Sequence, residues 1–445
     1  MKNLSNCLKC FIKLGNLIYT YCMKKNVKVF DYKSGAKLIV EKNDKADFVA
    51  FVINVQVGSI DENEKQFGLA HFLEHLFFKS TKDMSTFEIA EYLESLGAVI
   101  NADTSESKTN YHFISLKENF EKCVEMFSKM FFEGAFKHEE IEKERDVVLE
   151  EYKRTLDNSH RISMINAYKN LVKGTPYEHD VIGTEEVIKN VTREEILEFR
   201  KKYTPDKIIF SIAGNIDYDE AKNIVEKYFS KILDCKFEPQ ESNEIVIKDV
   251  ENNFVFHKKD ENQSKIYILF KSENIYSDEV NPLMLLSVIC GVGMCSRFFN
   301  ELREKLGLAY SCGASTFFAK EFGYFQIFIA TSNEKVGSAL INIKKILNEI
   351  SENGVYQHEL EIAKTKFKAD YVYGMNSVSR QAKNNAKKYH YFKNIPSFEE
   401  KMEEIESVTL EDVKKCAKKL FNSKNYVVSV CGNVENVEDI KNAFN

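Results

Sequence analysis

The chain contains an internal repeat that limits how it can fold. Ile188–Thr192 resembles Ile405–Thr409, and each segment continues into a helical pattern. Downstream, Ile208–Asn215 and Tyr426–Asn433 are both apolar runs that end in Gly-Asn and precede an acidic helical stretch. The copies lie 217 to 218 residues apart, a spacing too long for a solenoid repeat but typical of a duplicated domain. The simplest architecture is therefore a pair of homologous domains.

The repeat also predicts where the domains begin and end. We expect a first domain over residues 27–233, a linker over 234–253 and a second domain over 254–445. Strand patterns mixed with paired helical patterns indicate an α+β fold, in which each domain is a mostly antiparallel sheet packed with helices. In the first domain the strand patterns cover Val27–Tyr32, Ala36–Glu41, Phe48–Gly58, Val99–Thr104 and Tyr111–Leu116, and the helical patterns cover Phe67–Phe78, Thr86–Leu96, Phe120–Phe132 and Glu139–Leu171.

Residues 1–26 precede this pattern as an N-terminal extension. They hold five lysines, no acidic residue and a mixed apolar stretch, Phe11–Tyr21. The extension is either a weak targeting segment or an over-long start before Met23. A start at Met23 is typical of a bacterial cytoplasmic protein, whereas a real targeting segment favours the mitochondrial matrix.

Composition excludes several classes of function. The chain has 62 Lys plus Arg and 68 Asp plus Glu, so it lacks the overall basic field with which proteins hold nucleic acid. After residue 26, apolar runs such as Phe48–Val57 fall far short of the roughly 20 residues that a membrane-spanning helix needs. The ten cysteines are scattered, including a lone Cys7-x-x-Cys10 pair, which favours a reducing compartment. We predict no nucleic-acid partner and no membrane span.

Two of the nine histidines, His71 and His75, lie four residues apart in a helical pattern, so both imidazoles can face one metal ion. Glu74 stands beside the same site, where its carboxylate could take a proton from a metal-bound water. The order H-x-x-E-H inverts the zincin motif and is itself a peptidase signature. The flanks Phe67–Ala70 and Leu76–Phe78 are apolar, so the helix is buried and its polar side chains need partners. We interpret the motif as a metal site rather than as a solvated helix face.

A catalytic zinc ion normally has three protein ligands and one open position. The long helical pattern downstream supplies candidates for the third ligand in Glu144, Glu150 and Glu151. Glu144 and Glu151 are seven residues apart and share a helix face. Spacing alone does not separate Glu150 from Glu151, and a merely solvated charged helix is the alternative interpretation.

These residues carry a family resemblance. The segment Gly68–Thr81, with its H-x-x-E-H motif, and the segment Glu144–Glu151 are similar to those of the pitrilysin family of zinc peptidases. Within that family the chain most resembles the β subunit of the mitochondrial processing peptidase and its bacterial relatives. The resemblance extends from about Val27 to the C-terminus.

The resemblance implies a role for each residue of the candidate site. His71, His75 and Glu151 would bind one Zn²⁺ per chain, which selects Glu151 over Glu150. Glu74 would be the general base, and Glu144 would orient the site from outside the ligand set. The motif does not recur in the second domain, as expected if that domain completes the substrate site without binding metal.

The resemblance also implies how a substrate binds. In the family an extended peptide adds to a strand edge with an Asn-Ala pair, which Asn101 and Ala102 match; an ordinary strand end is the alternative. The segment Ser296–Tyr310 is similar to the one whose Arg and Tyr reach the bound peptide, so Arg303 and Tyr310 would hydrogen-bond the substrate. Their spacing of seven is compatible with one helix face, and they would otherwise be a surface cation and a core aromatic.

The sequence therefore predicts a zinc metalloendopeptidase that cleaves peptides or unstructured segments through attack of a zinc-bound water, with Glu74 as the general base. Family members of this length pair so that four similar domains enclose a chamber. We accordingly expect a homodimer, or a heterodimer with a related chain. The rival hypothesis is a catalytically inactive subunit of a peptidase or a respiratory complex, because the same fold serves those roles.

Overall fold

The computed structural model describes residues 26–235 and 244–444, which form two β-sheets packed with helices. The strands are β1 Val27–Asp31, β2 Lys37–Lys42, β3 Phe48–Val55, β4 Val99–Thr104, β5 Thr109–Leu116, β6 Ile208–Gly214, β7 Phe254–Lys258, β8 Gln263–Ser272, β9 Ser311–Phe318, β10 Gly323–Ser332 and β11 Tyr426–Gly432. The helices are α1 Leu69–Phe77, α2 Thr86–Ser95, α3 Phe120–Glu133, α4 His138–Asp157, α5 Ser159–Leu171, α6 Glu185–Asn190, α7 Arg193–Arg200, α8 Tyr218–Leu233, α9 Val280–Gly291, α10 Val336–Asn353, α11 Gln357–Met375, α12 Val378–Phe392, α13 Phe398–Ser407, α14 Leu410–Phe421 and α15 Val437–Phe444. A short π-helix, Phe299–Lys305, follows α9.

The two sheets share one topology. The first has the order β1-β2-β6-β3-β5-β4, and the second has the order β7-β11-β8-β10-β9. Each sheet has one parallel pair, β2 with β6 in the first and β7 with β11 in the second. Every other neighbouring pair is antiparallel. Apart from the extra edge strand β1, the sheets match strand for strand. The predicted α+β fold with two homologous halves is confirmed.

Aromatic side chains fill the core of the first half. β3 lies at the centre of its sheet, and all of its residues after the first are buried. The ring of Phe51 on β3 packs against Phe113, Phe210 and Phe229 with centroids 5.6, 6.0 and 5.9 Å apart. This cluster joins α8, which carries Phe229, to three neighbouring strands, and α1 packs on the edge of the same core. The helix that carries the H-x-x-E-H motif therefore rests on a closely packed aromatic core.

Each sheet is also covered by a helix from the opposite half. α5 packs on β8 and β11, while α12 packs on β3 and β6. The contact surfaces use small side chains: Ala167 of α5 lies in one cluster with Val427, and Ala382 of α12 lies in another with Ala50. Small residues let a helix approach a sheet closely. Each half therefore contributes one helix that covers the sheet of the other half.

The structure corrects one predicted element. Glu139–Leu171 was predicted as a single helix, but it forms α4 and α5 with a break at Asn158. Asn158 leaves the helical region, at φ −92° and ψ 105°, and its Oδ1 accepts a hydrogen bond from the backbone N–H of Arg161. Asparagine is a preferred N-cap residue, so this side chain starts a new helix. The break frees α5 to reach the second sheet.

Some predictions fall outside the described residues. The N-terminal extension with Cys7 and Cys10 lies there apart from residue 26, and so does most of the linker, because the structure describes nothing between residues 235 and 244. Residues 244–250, at the end of that linker, form neither helix nor strand. Within the described ranges, none of the helices combines the length and the apolar character needed to cross a membrane.

Candidate metal centre

The H-x-x-E-H motif lies on α1. The apolar side chains of this helix are buried in the core of the first half. His71 and His75 lie on the side that faces α4, and Glu74 contacts β4. The helix begins after Gly68, whose φ of 99° favours glycine. A Cβ at this position would also lie 2.7 Å from the carbonyl oxygen of Ile182. Both the positive φ and the close backbone packing at the start of the helix therefore favour glycine at position 68.

The second helix of the site, α4, contributes the carboxylates. Glu144 and Val148 are buried on the face that packs against α1, and Glu151 continues that face one turn later. Glu150 points away: its side chain is 73% exposed and accepts a hydrogen bond from Lys153 at 2.7 Å. The structure thus brings Glu151, and not Glu150, beside the histidines.

Three potential ligand atoms converge between the helices. Nε2 of His71 and Nε2 of His75 each lie 3.7 Å from Oε2 of Glu151, and the two imidazole centroids are 4.7 Å apart. The ligand atoms of these three residues all lie within 4.8 Å of one another. In a tetrahedral zinc site with bonds of about 2.0–2.1 Å, neighbouring ligand atoms are about 3.3 Å apart. A small contraction would therefore let this group bind one zinc ion.

Outside this group, Glu144 and Lys79 fix the orientation of His75. Oε2 of Glu144 lies 3.0 Å from Nδ1 of His75, and its Oε1 accepts a hydrogen bond from Lys79 Nζ at 2.5 Å. Burial raises the pKa of Glu144, but the hydrogen bonds from His75 and Lys79 outweigh it, so the net shift is downward. A carboxylate without a proton can only accept a hydrogen bond, so this contact favours the His75 tautomer with its proton on Nδ1. Nε2 then carries a lone pair for a metal.

His71 is kept neutral by its surroundings. Burial, and then the neighbouring His75, lower the pKa of His71 to about 4. Its Nδ1 is buried and, within the described part of the chain, has no hydrogen-bond partner, while Nε2 is too far from Glu151 for a hydrogen bond. Buried polar atoms without partners are uncommon in folded proteins. Nε2, the nitrogen that faces Glu151, is therefore not taken up by that carboxylate and can bind a ligand.

Glu74 is held by the edge strand of the first sheet. Thr104, the last residue of β4, donates a hydrogen bond from Oγ1 to Oε2 of Glu74 at 2.5 Å. Burial raises the pKa of Glu74, and the hydrogen bond from Thr104 and the nearby His75 offset only part of that rise. A carboxylate with a raised pKa is a better proton acceptor near neutral pH.

Asn101 and Ala102 lie on the same edge strand. β4 pairs with β5 on one side, with Asn101 opposite His112 and Ala102 opposite Tyr111, and it is the last strand of its sheet. Asn101 is exposed, and its Oδ1 accepts a hydrogen bond from the N–H of Ala102 at 2.8 Å. The outer edge of β4 can therefore accept an added strand close to Glu74.

The structure places Arg303 and Tyr310 on different elements. Arg303 is in the π-helix, with its guanidinium 4.8 Å from the ring centroid of Phe299, whereas Tyr310 immediately precedes β9. Their spacing is compatible with one helix face, but they do not share one, because the chain leaves the helix after Lys305 and turns at Gly307, where φ is 57°. Tyr310 is 73% exposed and is not a core aromatic. Among the described residues, no hydrogen bond or ion pair joins either side chain to the metal-site residues.

Sequence reasoning missed Lys79 and Thr104. Lys79 follows His75 by four residues, so helical spacing could have indicated that both face the same carboxylate. Thr104 gives no such signal, because the approach of β4 to α1 is a tertiary contact.

Known proteins are similar to this chain in both halves. A family model described as Insulinase (Peptidase family M16) matches residues 37–185, and one described as Peptidase M16 inactive domain matches residues 190–367. An uncharacterized zinc protease of Rickettsia bellii is 31% identical over 403 residues, which cover 90% of this chain and 96% of that protein. An uncharacterized zinc protease of Bacillus subtilis is 28% identical over 401 residues, with 89% and 96% covered.

Solved structures share the fold. A protease from Helicobacter pylori matches with a TM-score of 0.84 at 22% identity, over 91% of this chain and 99% of its own. A protein from Pseudomonas fluorescens, described as a peptidase M16 inactive domain, matches with a TM-score of 0.85 at 19% identity, over 92% and 99%. Because the sequence matches run through both halves, the chain belongs to peptidase family M16, the insulinase or pitrilysin family.

Proposed function

We propose that this protein is a zinc metalloendopeptidase that hydrolyses peptides or unstructured protein segments. The observation that carries the proposal is the convergence of His71, His75 and Glu151 beside Glu74. Two further facts support it: the Rickettsia bellii and Bacillus subtilis relatives are named as zinc proteases, and the matching first-half family model is that of a peptidase.

His71 and His75 through Nε2, together with the carboxylate of Glu151, would hold one Zn²⁺. Two imidazoles and one carboxylate suit zinc, whereas calcium and magnesium prefer oxygen ligands. Bound zinc supplies a Lewis acid and lowers the pKa of water. Glu144 would act through His75, because its contact with Nδ1 would leave Nε2 as the nitrogen that binds the ion.

Glu74 is the residue that moves protons in this proposal. Its carboxylate accepts a proton from the attacking water and later gives it to the leaving amine. Thr104 occupies Oε2, and within the described residues no hydrogen bond occupies Oε1, so Oε1 is the oxygen that we assign to proton transfer.

The substrate would bind as an added strand on the outer edge of β4. Main-chain hydrogen bonds along the outer edge of β4, in the segment of Asn101 and Ala102, would hold an extended peptide in many sequences, because they do not depend on its side chains. The side chain of Asn101 would first have to release the N–H of Ala102. Thr104 lies at the end of the same strand, so a peptide in this position would extend toward Glu74. This arrangement suits unfolded substrates rather than folded proteins.

The second half would complete the substrate site. Arg303 and Tyr310 carry exposed polar groups that can hydrogen-bond a peptide carbonyl or a developing oxyanion. We further propose that two chains associate, as a homodimer or with a related chain, and enclose the substrate. The oligomeric state is directly measurable by sedimentation.

We also propose a cytoplasmic location for this chain. The Rickettsia bellii and Bacillus subtilis relatives are bacterial, which supports a cytoplasmic peptidase. The mitochondrial matrix is the alternative, and sequencing the native N-terminus separates them: a start at Met23 favours the cytoplasm, and cleavage near residue 26 favours import.

An inactive subunit is the contrasting hypothesis. The family model named as an inactive domain covers residues 190–367, which begin after α1 and α4 and contain none of the proposed metal ligands. The first half retains both histidines, Glu74 and Glu151 together.

The test is a mass-spectrometric cleavage map of mixed unstructured peptides. Wild type should cleave with zinc and should stop when a chelator removes it. Glu74→Gln and Glu151→Gln should be inactive, while Glu150→Gln, a neighbouring carboxylate outside the site, should cleave normally. Absence of cleavage by the zinc-loaded wild type would favour the inactive subunit.

A further inference from the structure

A buried carboxylate lies at the start of the metal-site helix. The side chain of Glu62 is fully covered, although the residue lies in a loop well before the motif. Its Oε2 accepts a hydrogen bond from the N–H of Gly68 at 2.8 Å, and its Oε1 accepts one from the N–H of Ala70 at 2.7 Å. Nε2 of His179 lies 3.1 Å from Oε2. All the distances are those of ordinary or charge-assisted hydrogen bonds.

The two backbone donors belong to the first turn of α1, where helical N–H groups have no partner within the helix. The N-cap residue, Gly68, has no side chain to satisfy them. A carboxylate at a helix N-terminus also interacts favourably with the helix dipole. Glu62 therefore caps α1 although it lies outside the helix. One of its two backbone partners, Ala70, immediately precedes His71.

The contact with His179 extends this arrangement. The His179 ring stacks on Phe67 with centroids 4.0 Å apart, and the backbones of Gly68 and Gly183 are in direct contact. In the same loop, Asp180 accepts a hydrogen bond from Arg161 at 3.3 Å. Arg161 is on α5, the helix that packs on the second sheet. The start of α1 is thus tied through this loop to an element shared by both halves.

We infer that Glu62 is a positioning residue, which fixes the rotation and axial position of α1 so that His71 and His75 present Nε2 to Glu151. The inference rests on the proposed metal binding by these three residues. A cap that only stabilised the helix would lower folding stability when removed but would leave the affinity of the folded protein for zinc unchanged. Metal affinity therefore separates positioning from simple capping.

The first variant to test is Glu62→Gln in the full-length chain. The amide keeps the shape of the side chain but replaces one acceptor oxygen with an NH₂ group, which cannot accept from Gly68 or Ala70. The matched control is Glu88→Gln, because Glu88 caps the neighbouring helix α2 through Ser85, which is not one of the metal-site residues. The measurements are zinc affinity, by competition with a chromogenic chelator, and urea unfolding of the metal-free protein.

We expect Glu62→Gln to weaken zinc binding about tenfold, the lower end of the range for residues that support metal ligands, and Glu88→Gln to leave it within about twofold of wild type. A cobalt-substituted Glu62→Gln protein should also show an altered visible absorption spectrum, because the histidines are displaced. Unchanged zinc affinity and spectrum in a destabilised Glu62→Gln protein would overturn the inference and reduce Glu62 to a cap.

If Glu62→Gln does not fold, Glu62→Asp decides the question, because it keeps the charge but shortens the side chain that reaches the N–H groups of Gly68 and Ala70. Weaker zinc binding by that variant supports positioning, and wild-type affinity contradicts it. Failure of the wild type to bind zinc would instead refute the proposed metal site itself, so the two failures are distinguishable.

Discussion

Replacing Glu144 by glutamine removes a negative charge beside the metal group with little change in shape. The carboxylate lies 3.0 Å from His75 Nδ1 and accepts a hydrogen bond from Lys79 Nζ at 2.5 Å, and its side chain is only 9% exposed. Glutamine offers one acceptor oxygen, and its NH₂ group would face the other donor. Either His75 or Lys79 must therefore lose its partner.

The magnitude follows from these contacts. Groups that hydrogen-bond a metal-ligating histidine contribute about 10–100-fold to metal affinity. We expect the dissociation constant for zinc to rise by this factor, which corresponds to about 1.4–2.8 kcal/mol. The metal-free protein should also lose about 1–3 kcal/mol of unfolding free energy, because a mostly buried donor is left without its acceptor.

The assay is a zinc competition titration with a chromogenic chelator, paired with urea unfolding of the metal-free protein. Glu142→Gln is the control, since Glu142 is two residues away on the same helix but is exposed and pairs with Arg145. The reasoning is refuted if Glu144→Gln binds zinc within about threefold of wild type, because orientation of His75 would then not need the carboxylate.

Three further predictions address proton transfer, substrate binding and stability. Thr104→Val, which removes the hydrogen bond to Glu74, should lower kcat/KM about tenfold without changing zinc affinity. Thr104→Ser keeps a hydroxyl group and should have the kcat/KM of wild type. Equal kcat/KM values in wild type and both variants would contradict a role for this hydrogen bond. Tyr310→Phe and Arg303→Leu should each lower kcat/KM by about 10–100-fold, again at wild-type zinc affinity, and normal kinetics would remove these residues from the substrate site. Burial lowers the pKa of His112 from 6.5 to about 4, so the unfolded chain binds the proton first as the pH falls. The stability present above about pH 6.5 should then be lost toward pH 4 at up to about 1.4 kcal/mol per pH unit. Urea unfolding at pH 7 and pH 5 should show a smaller loss of unfolding free energy for His112→Asn than for wild type. Equal losses would contradict a lowered pKa of His112 in the folded protein.

Local patterns in the sequence were enough to predict the duplicated fold and the metal-site helix. The repeated Gly-Asn strand ends mark β6 and β11, which occupy the same position in the two sheets. The spacing of His71 and His75 fixes their common face, because helical geometry depends only on neighbours along the chain. These are the features that short-range periodicity can encode.

The remaining features depend on contacts between distant segments. The exchange of α5 and α12 brings residues into contact that are separated by most of the chain, such as Ser163, whose hydroxyl donates to the Ser429 carbonyl at 3.0 Å. Thr104 reaches Glu74 only because β4 packs on α1. The break at Asn158 did have a local signal, an N-cap residue within a helical pattern, which the apolar periodicity on both sides concealed.

The most direct test of the metal site is anomalous X-ray diffraction at the zinc absorption edge, from crystals of the full-length protein supplied with one equivalent of zinc. We predict one anomalous peak per chain, within about 2.0–2.2 Å of His71 Nε2, His75 Nε2 and a Glu151 carboxylate oxygen. A peak bound by other residues, or no peak between α1 and α4, would contradict the assignment of this group as the metal centre.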